Sequence, residues 1–195
     1  MKTKLIIGFV ALNSLLLPAA FGQSTFQFLN FQPALGIDAP VYDAQGVPLE
    51  GPNYVAELWG GAAPDSLTPA TTFGGSLPVV VPFYTGTGAG YFESQTTVVI
   101  LDAYPYFPAW LQVRAWDARL GTTYEQVAAL GLGGYGESSL LYLQGGNPLM
   151  VPPTAPSPLF GLQSFSLLPV VPEPSTWTLL ALGGLAVWWT TRRRR

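Results

Sequence analysis

The chain has 195 residues, of which 49% are hydrophobic and only 10% charged, and it contains neither His nor Cys. Without Cys there is no disulfide scaffold, thiolate metal site or cysteine nucleophile. Without His there is no Ser-His-Asp machinery and no imidazole ligand, and the length allows one domain with short terminal appendages.

The charges are unevenly placed. Lys2, Lys4 and Arg192, Arg193, Arg194 and Arg195 occupy the chain ends. Between residues 23 and 171 stand only two cations, Arg114 and Arg119, against ten acids, a net of −8. A body this acidic repels phosphate backbones, so the sequence predicts no nucleic-acid partner.

Residues 1–22 have the three parts of an export signal. Lys2 and Lys4 precede an apolar stretch from Leu5 to Leu17 that Pro18 ends, and Ala20 and Gly22 supply the small residues before a cut that would leave Gln23 first. A stretch this short is a poor membrane span, which favours removal by signal peptidase over a permanent anchor.

From Gln23 onwards the pattern is all β. Ser24 to Phe31 reads as a first strand, and Val41-Tyr42 as a short one before the turn at Asp43-Ala44-Gln45-Gly46. Tyr54 to Trp59 and Thr96 to Leu101 are rich in β-branched and apolar residues. Ala109 to Trp116 alternates, with Leu111, Val113 and Ala115 on one face and Trp110, Gln112, Arg114 and Trp116 on the other. Tyr124 to Leu130 reads as a helix, with a capping box from Thr123 to Gln126 and a stop at Gly131. Ser139 to Gln144 and Gly161 to Leu167 pattern as closing strands, separated by a loop with five Pro in the eleven residues 148–158. The expected body is a single antiparallel β-sandwich or jelly-roll-like domain over residues 23–170, with one short helix.

Few residues in this body suggest chemistry. Gly131-Leu132-Gly133-Gly134-Tyr135-Gly136 spells G-x-G-x-x-G, but it follows a helix and precedes a strand, the reverse of a phosphate-binding loop. No acid cluster has the spacing of a calcium loop; Asp38 and Asp43, and Asp102 and Asp117, read as turn acids. No motif points to a cofactor, a metal or catalytic residues, and the expectation is a protein that is not an enzyme. A polysaccharide hydrolase, which needs only two carboxylates, is the weakest alternative. Trp59, Trp110 and Trp116 could stack on sugar rings or fill a core, and sequence alone leaves both open. Arg114 is expected to use an aromatic neighbour, or to pair with Asp117 or Glu57.

Residues 171–195 form a second terminal signal. Pro172, Glu173 and Pro174 precede an uncharged apolar run from Trp177 to Thr191, and the four arginines end the chain. As a helix that run would be roughly 22 Å long, close to but below a hydrocarbon core. Carrying the arginines across would cost about 10 kcal/mol, which keeps them cytoplasmic as a stop-transfer signal and places the body outside the inner membrane. This order resembles the PEP-CTERM sorting signal, which exosortase processes in Gram-negative bacteria that make exopolysaccharide. The resemblance implies a membrane-anchored precursor, cleavage near Pro172, Glu173 and Pro174, and a product at the cell surface or in the extracellular matrix. The body also resembles, through Ala39-Pro40-Val41-Tyr42-Asp43, Gly51-Pro52-Asn53-Tyr54, Val113-Arg114-Ala115-Trp116-Asp117 and Gly161-Leu162-Gln163-Ser164-Phe165-Ser166-Leu167, a domain recurrent in such proteins. Together these imply a structural or interaction role associated with exopolysaccharide, or alternatively a carbohydrate-binding module using exposed aromatics.

Overall fold

The computed structural model describes residues 23–92 and 95–171; the expected signal peptide, the Pro-Glu-Pro motif, the apolar run and the terminal arginines lie outside the described residues. No helix among the described residues is long and apolar enough to cross a membrane.

The body is mostly β with one short helix. In chain order the strands are β1 (Ser24–Phe28), β2 (Phe31–Gln32), β3 (Ile37–Asp38), β4 (Val41–Tyr42), β5 (Tyr54–Gly61), β6 (Thr68–Pro69), β7 (Val80–Pro82), β8 (Gln95–Ile100) and β9 (Pro108–Asp117). After helix α1 (Tyr124–Leu130) come β10 (Tyr135–Glu137), β11 (Leu141–Gln144), β12 (Ser157–Pro158) and β13 (Phe165–Ser166).

Two sheets close over one core. The larger is built on the antiparallel pair β5 and β9, in register from Tyr54 opposite Asp117 to Gly61 opposite Trp110. The free edge of β9 is shared by β10 and β11, and that of β5 by β6 and β7. Between β10 and β11, Ser138 keeps the ladder intact: its N–H donates to Val113 O at 2.8 Å and its Oγ accepts from Val113 N–H at 3.0 Å. The smaller sheet runs β12-β1-β8. A crossing segment joins the two sheets: Ala70 N–H donates to Leu58 O, while Thr71 exchanges both backbone bonds with Val99 on β8.

The alternation in β9 decides what is inside. Leu111, Val113 and Ala115 meet Ala56 and Leu58 from β5, Phe26 and Phe28 from β1, and Val98 and Ile100 from β8 in one buried cluster. Each large side chain so buried contributes about 1.5–3 kcal/mol of transfer free energy. Gly60 marks how tightly the sheets meet. A Cβ there would lie 2.8 Å from both Ile100 Cδ1 and Leu111 Cδ2, so any larger residue must displace those core side chains.

Helix α1 has the expected bounds. Thr123 Oγ1 accepts from Gln126 N–H at 3.3 Å, and Gly131 closes the helix at φ 65°. The return bond of the expected capping box is displaced by one residue: Gln126 Oε1 accepts from Thr122 N–H and Thr122 Oγ1. A smaller cluster of Trp116, Tyr124 and Val127 forms where α1 packs on the outer face of the large sheet.

The pairing is not wholly antiparallel, which corrects the expectation. β12 runs parallel to β1, and β13 runs parallel to β4. Both contacts are two residues long and are made by the chain as it returns through its proline-rich stretch. Pro158, which cannot donate to a ladder, sits at an edge, where its missing N–H is tolerated. The closing strand expected over Gly161 to Leu167 is therefore reduced to Phe165–Ser166.

Candidate functional site

The outer face of the large sheet collects most of the side chains that could do chemistry, in rows fixed by register. Val55, Trp116 and Tyr135 form the first row, and Glu57, Arg114 and Glu137 the second. Trp59 and Gln112 form the third, and Gly61, Trp110 and Tyr142 the last. Helix α1 covers the first row and reaches the second through Tyr124.

Arg114 organises the middle. Its guanidinium carbon lies 3.9 Å from the centroid of the Trp59 ring and 4.9 Å from that of Tyr124. Its Nε donates to Gln112 Oε1 at 3.0 Å and stands 3.9 Å from Glu137 Oε2. Of the expected partners, Asp117 instead binds Arg119, with Nη2 donating to Oδ2 at 2.5 Å. Glu57 is buried, and its Oε2 accepts from the Trp59 indole N–H at 2.8 Å. Burial pushes its carboxyl up to about 7; the indole bond and Arg114 oppose this rise, and Glu125 adds to it. Burial, with Glu137 nearby, also pushes the Tyr124 phenol up.

Glu57 and Glu137 flank Arg114 in the manner of a carboxylate pair, one of them with a raised pKa. Arg114 stands between them in the register of the sheet, and Glu57 Oε2 is bonded to the indole that Arg114 lies over.

The three candidate sugar-stacking tryptophans do not form one platform. Trp116 is buried, donates its indole N–H to Gly121 O at 3.2 Å and meets Tyr124 edge-on, so it is a core residue. Trp59 is half-buried, with one face taken by Arg114. Trp110 is half-buried and leans on Tyr142, ring centroids 4.7 Å apart; Tyr142 itself is 56% exposed. Trp59, Trp110 and Tyr142 thus make up the part of the face that α1 leaves uncovered, while Gln112 between them is buried, its Nε2 donating to Ser138 O at 3.2 Å.

The turn acids are separately engaged. Asp43 accepts from the N–H groups of Gln45 and Val47, both at 2.8 Å, and Asp102 accepts from Thr68 Oγ1 at 3.3 Å. Among the described residues, no three acids come together as a metal site.

A second aromatic feature had no signal in the sequence. Phe31, Tyr84 and Tyr91 line a cavity of about 270 Å³ floored by buried Phe92. Tyr91 OH donates to Asp38 Oδ1 at 2.6 Å, which pushes the phenol up to about 12. These residues come from two segments, Phe31 to Asp38 and Tyr84 to Phe92, that are far apart in the chain. Only the return of the chain from Phe83 to Phe92 brings them together.

The described body is mostly β, with one short helix, and strongly acidic. The tail defines its destination: residues 170–195 match the PEP-CTERM protein-sorting motif. The motif implies an exported protein whose membrane-anchored precursor is processed by exosortase. No curated protein and no solved structure matches the chain.

Proposed function

We propose that the chain is delivered across the inner membrane, loses its signal peptide before Gln23 and its tail near Pro172, Glu173 and Pro174, and remains at the cell surface or in the extracellular matrix. There the β-sandwich body serves a structural or interaction role associated with exopolysaccharide, without catalysis of its own. The observation that carries this reading is the sorting motif at 170–195, joined to a body whose Glu57, Arg114 and Asp117 are spent on internal contacts. The test is the mature protein from cells that contain exosortase: its mass should correspond to a chain starting at Gln23 and lacking Arg192–Arg195.

The uncovered half of the outer face favours a second reading, a carbohydrate-binding module. Trp59 and Trp110 beside Tyr142 offer ring surface on the part of the face that α1 leaves open. Aromatic faces stack on pyranose C–H groups while polar side chains hold the hydroxyls. A glycan array probed with the full chain and with Trp110→Ala checks this reading, which requires binding that the substitution abolishes.

A further inference from the structure

The last described residues are laid across the glycine-rich run that follows α1. Gly134 N–H donates to Leu168 O at 2.8 Å, Leu168 N–H to Tyr135 O at 2.8 Å, and Val171 N–H to Leu132 O at 2.7 Å. Just upstream, Leu167 N–H donates to Tyr42 O at 2.9 Å. The approach is backbone against backbone. A Cβ on Gly133 would lie 1.9 Å from Pro169 O, and one on Gly136 would lie 2.6 Å from Ser166 O. The G-x-G-x-x-G run is thus the seat of a strap, and the strap stays fixed to the body as far as Val171, the residue before Pro172.

This sets how far the body can stand from its anchor. Residues 172–176 alone separate Val171 from the apolar run that starts at Trp177. Fully extended, that connection reaches only about 20 Å.

The surface at the exit is apolar. Leu130 is 50% exposed, Leu168 50%, Val170 51% and Val171 58%. Leu130 ends α1 two residues before Leu132, which holds Val171, and a Cβ on Gly134 would meet Val170 Cγ2 at 3.3 Å. No charged residue occurs in 126–136 or in 138–171, although the body as a whole is strongly acidic. An anionic lipid surface would repel the acids elsewhere on the body but not this rim.

We propose that the rim of Leu130, Leu168, Val170 and Val171 docks on the outer lipid surface of the membrane that anchors the precursor. Docking holds Pro172, Glu173 and Pro174 at a fixed height above that membrane for cleavage. Four half-exposed side chains are too small an anchor to hold the body once the tail is gone, so cutting releases it. The proposal rests on the reading of the tail as a membrane anchor.

Because the chain has no Cys, single labels can be placed cleanly. Leu130→Cys labels the rim. Leu149→Cys is the control: Leu149 is exposed and lies past β11, whose Gln144 pairs with Pro108 at the far end of β9 from Asp117. The full chain, labelled with bimane, is reconstituted into vesicles of phosphatidylcholine with anionic phosphatidylglycerol, carrying a lipid spin-labelled at a shallow acyl carbon. Quenching several-fold stronger at residue 130 than at residue 149, and lost in Leu168→Glu/Val170→Glu while the protein still floats with the vesicles, is the expected result. Equal quenching at the two sites in floating protein overturns the docking proposal and leaves the anchor reading standing, as does a residue-130 label that is shielded in a dimer of two copies. Failure to float overturns both.

Discussion

The guanidinium of Arg114 lies over the indole of Trp59, its carbon 3.9 Å from the ring centroid, with the carboxyl of Glu57 bonded to that same indole. A cation, a ring and a buried acid are thus joined in one contact on two neighbouring strands. Removing the cation takes away the stacking, the Gln112 bond and the charge that opposes the rise in the Glu57 pKa. Arg114→Ala is therefore expected to destabilise the body by about 1–3 kcal/mol in urea titrations. Arg114→Lys should recover little of this, since a lysine has no planar fork to lie on the ring. Equal midpoints for Arg114→Ala and wild type would remove the network from the account.

Glu57 gives the protein a pH-dependent stability of defined sign. Its folded pKa of about 7 lies above the ordinary 4.5. Between these values the folded state holds a proton that the unfolded state has released, so stability falls as pH rises through this window and levels off above it. The loss attributable to this residue is about 3 kcal/mol at most. Glu57→Gln, which can still accept from Trp59, should flatten the melting temperature between pH 4.5 and pH 7. Thermal melts of the two proteins across that range check it, and an unchanged slope would contradict it.

Much of this architecture can be read from the chain. The long strands β5, β8 and β9 announce themselves through β-branched and alternating residues, and α1 through Thr123, Gln126 and Gly131. The assignment of Arg114 and Trp116 to one face of β9 holds. Period-2 alternation cannot say what covers a face, however, and α1 folds over Trp116 while leaving Trp110 open. The short strands β6, β7, β10 and β12 carry no periodicity of their own, because two or three residues are too few to show one. The parallel contacts of β12 and β13 depend on the route of the proline-rich return. The glycines at 133, 134 and 136 are visible as a motif, but their purpose appears only when the strap lies on them.

Trp116 and Trp110 should separate cleanly. Trp116→Ala removes a buried ring and is expected to cost about 3–5 kcal/mol in stability. Trp110→Ala, on the open part of the face, should cost less than about 2 kcal/mol. If the body binds glycans through this face, Trp110→Ala alone should lose binding while melting close to wild type. Denaturant unfolding together with a glycan array makes the comparison.

Two glycines of one motif should behave differently. Gly131 has φ 65° and open space around it, so Gly131→Ala carries only the backbone penalty of about 1–2 kcal/mol. Gly133 has φ 87° and Pro169 O directly against it, so Gly133→Ala must also push the strap away. Hydrogen exchange at the Leu168 and Val171 amides should speed up markedly in Gly133→Ala and remain slow in Gly131→Ala. Equal protection in both variants would show that the strap does not depend on that contact.

Both chain ends are expected to be read and removed by the cell. The intact mass of the protein recovered from outside cells that contain exosortase tests this most directly. The expected species begins at Gln23 and ends near Pro172–Pro174; an external product that still carries Arg192–Arg195, or a cytosolic one that retains Met1, would contradict it.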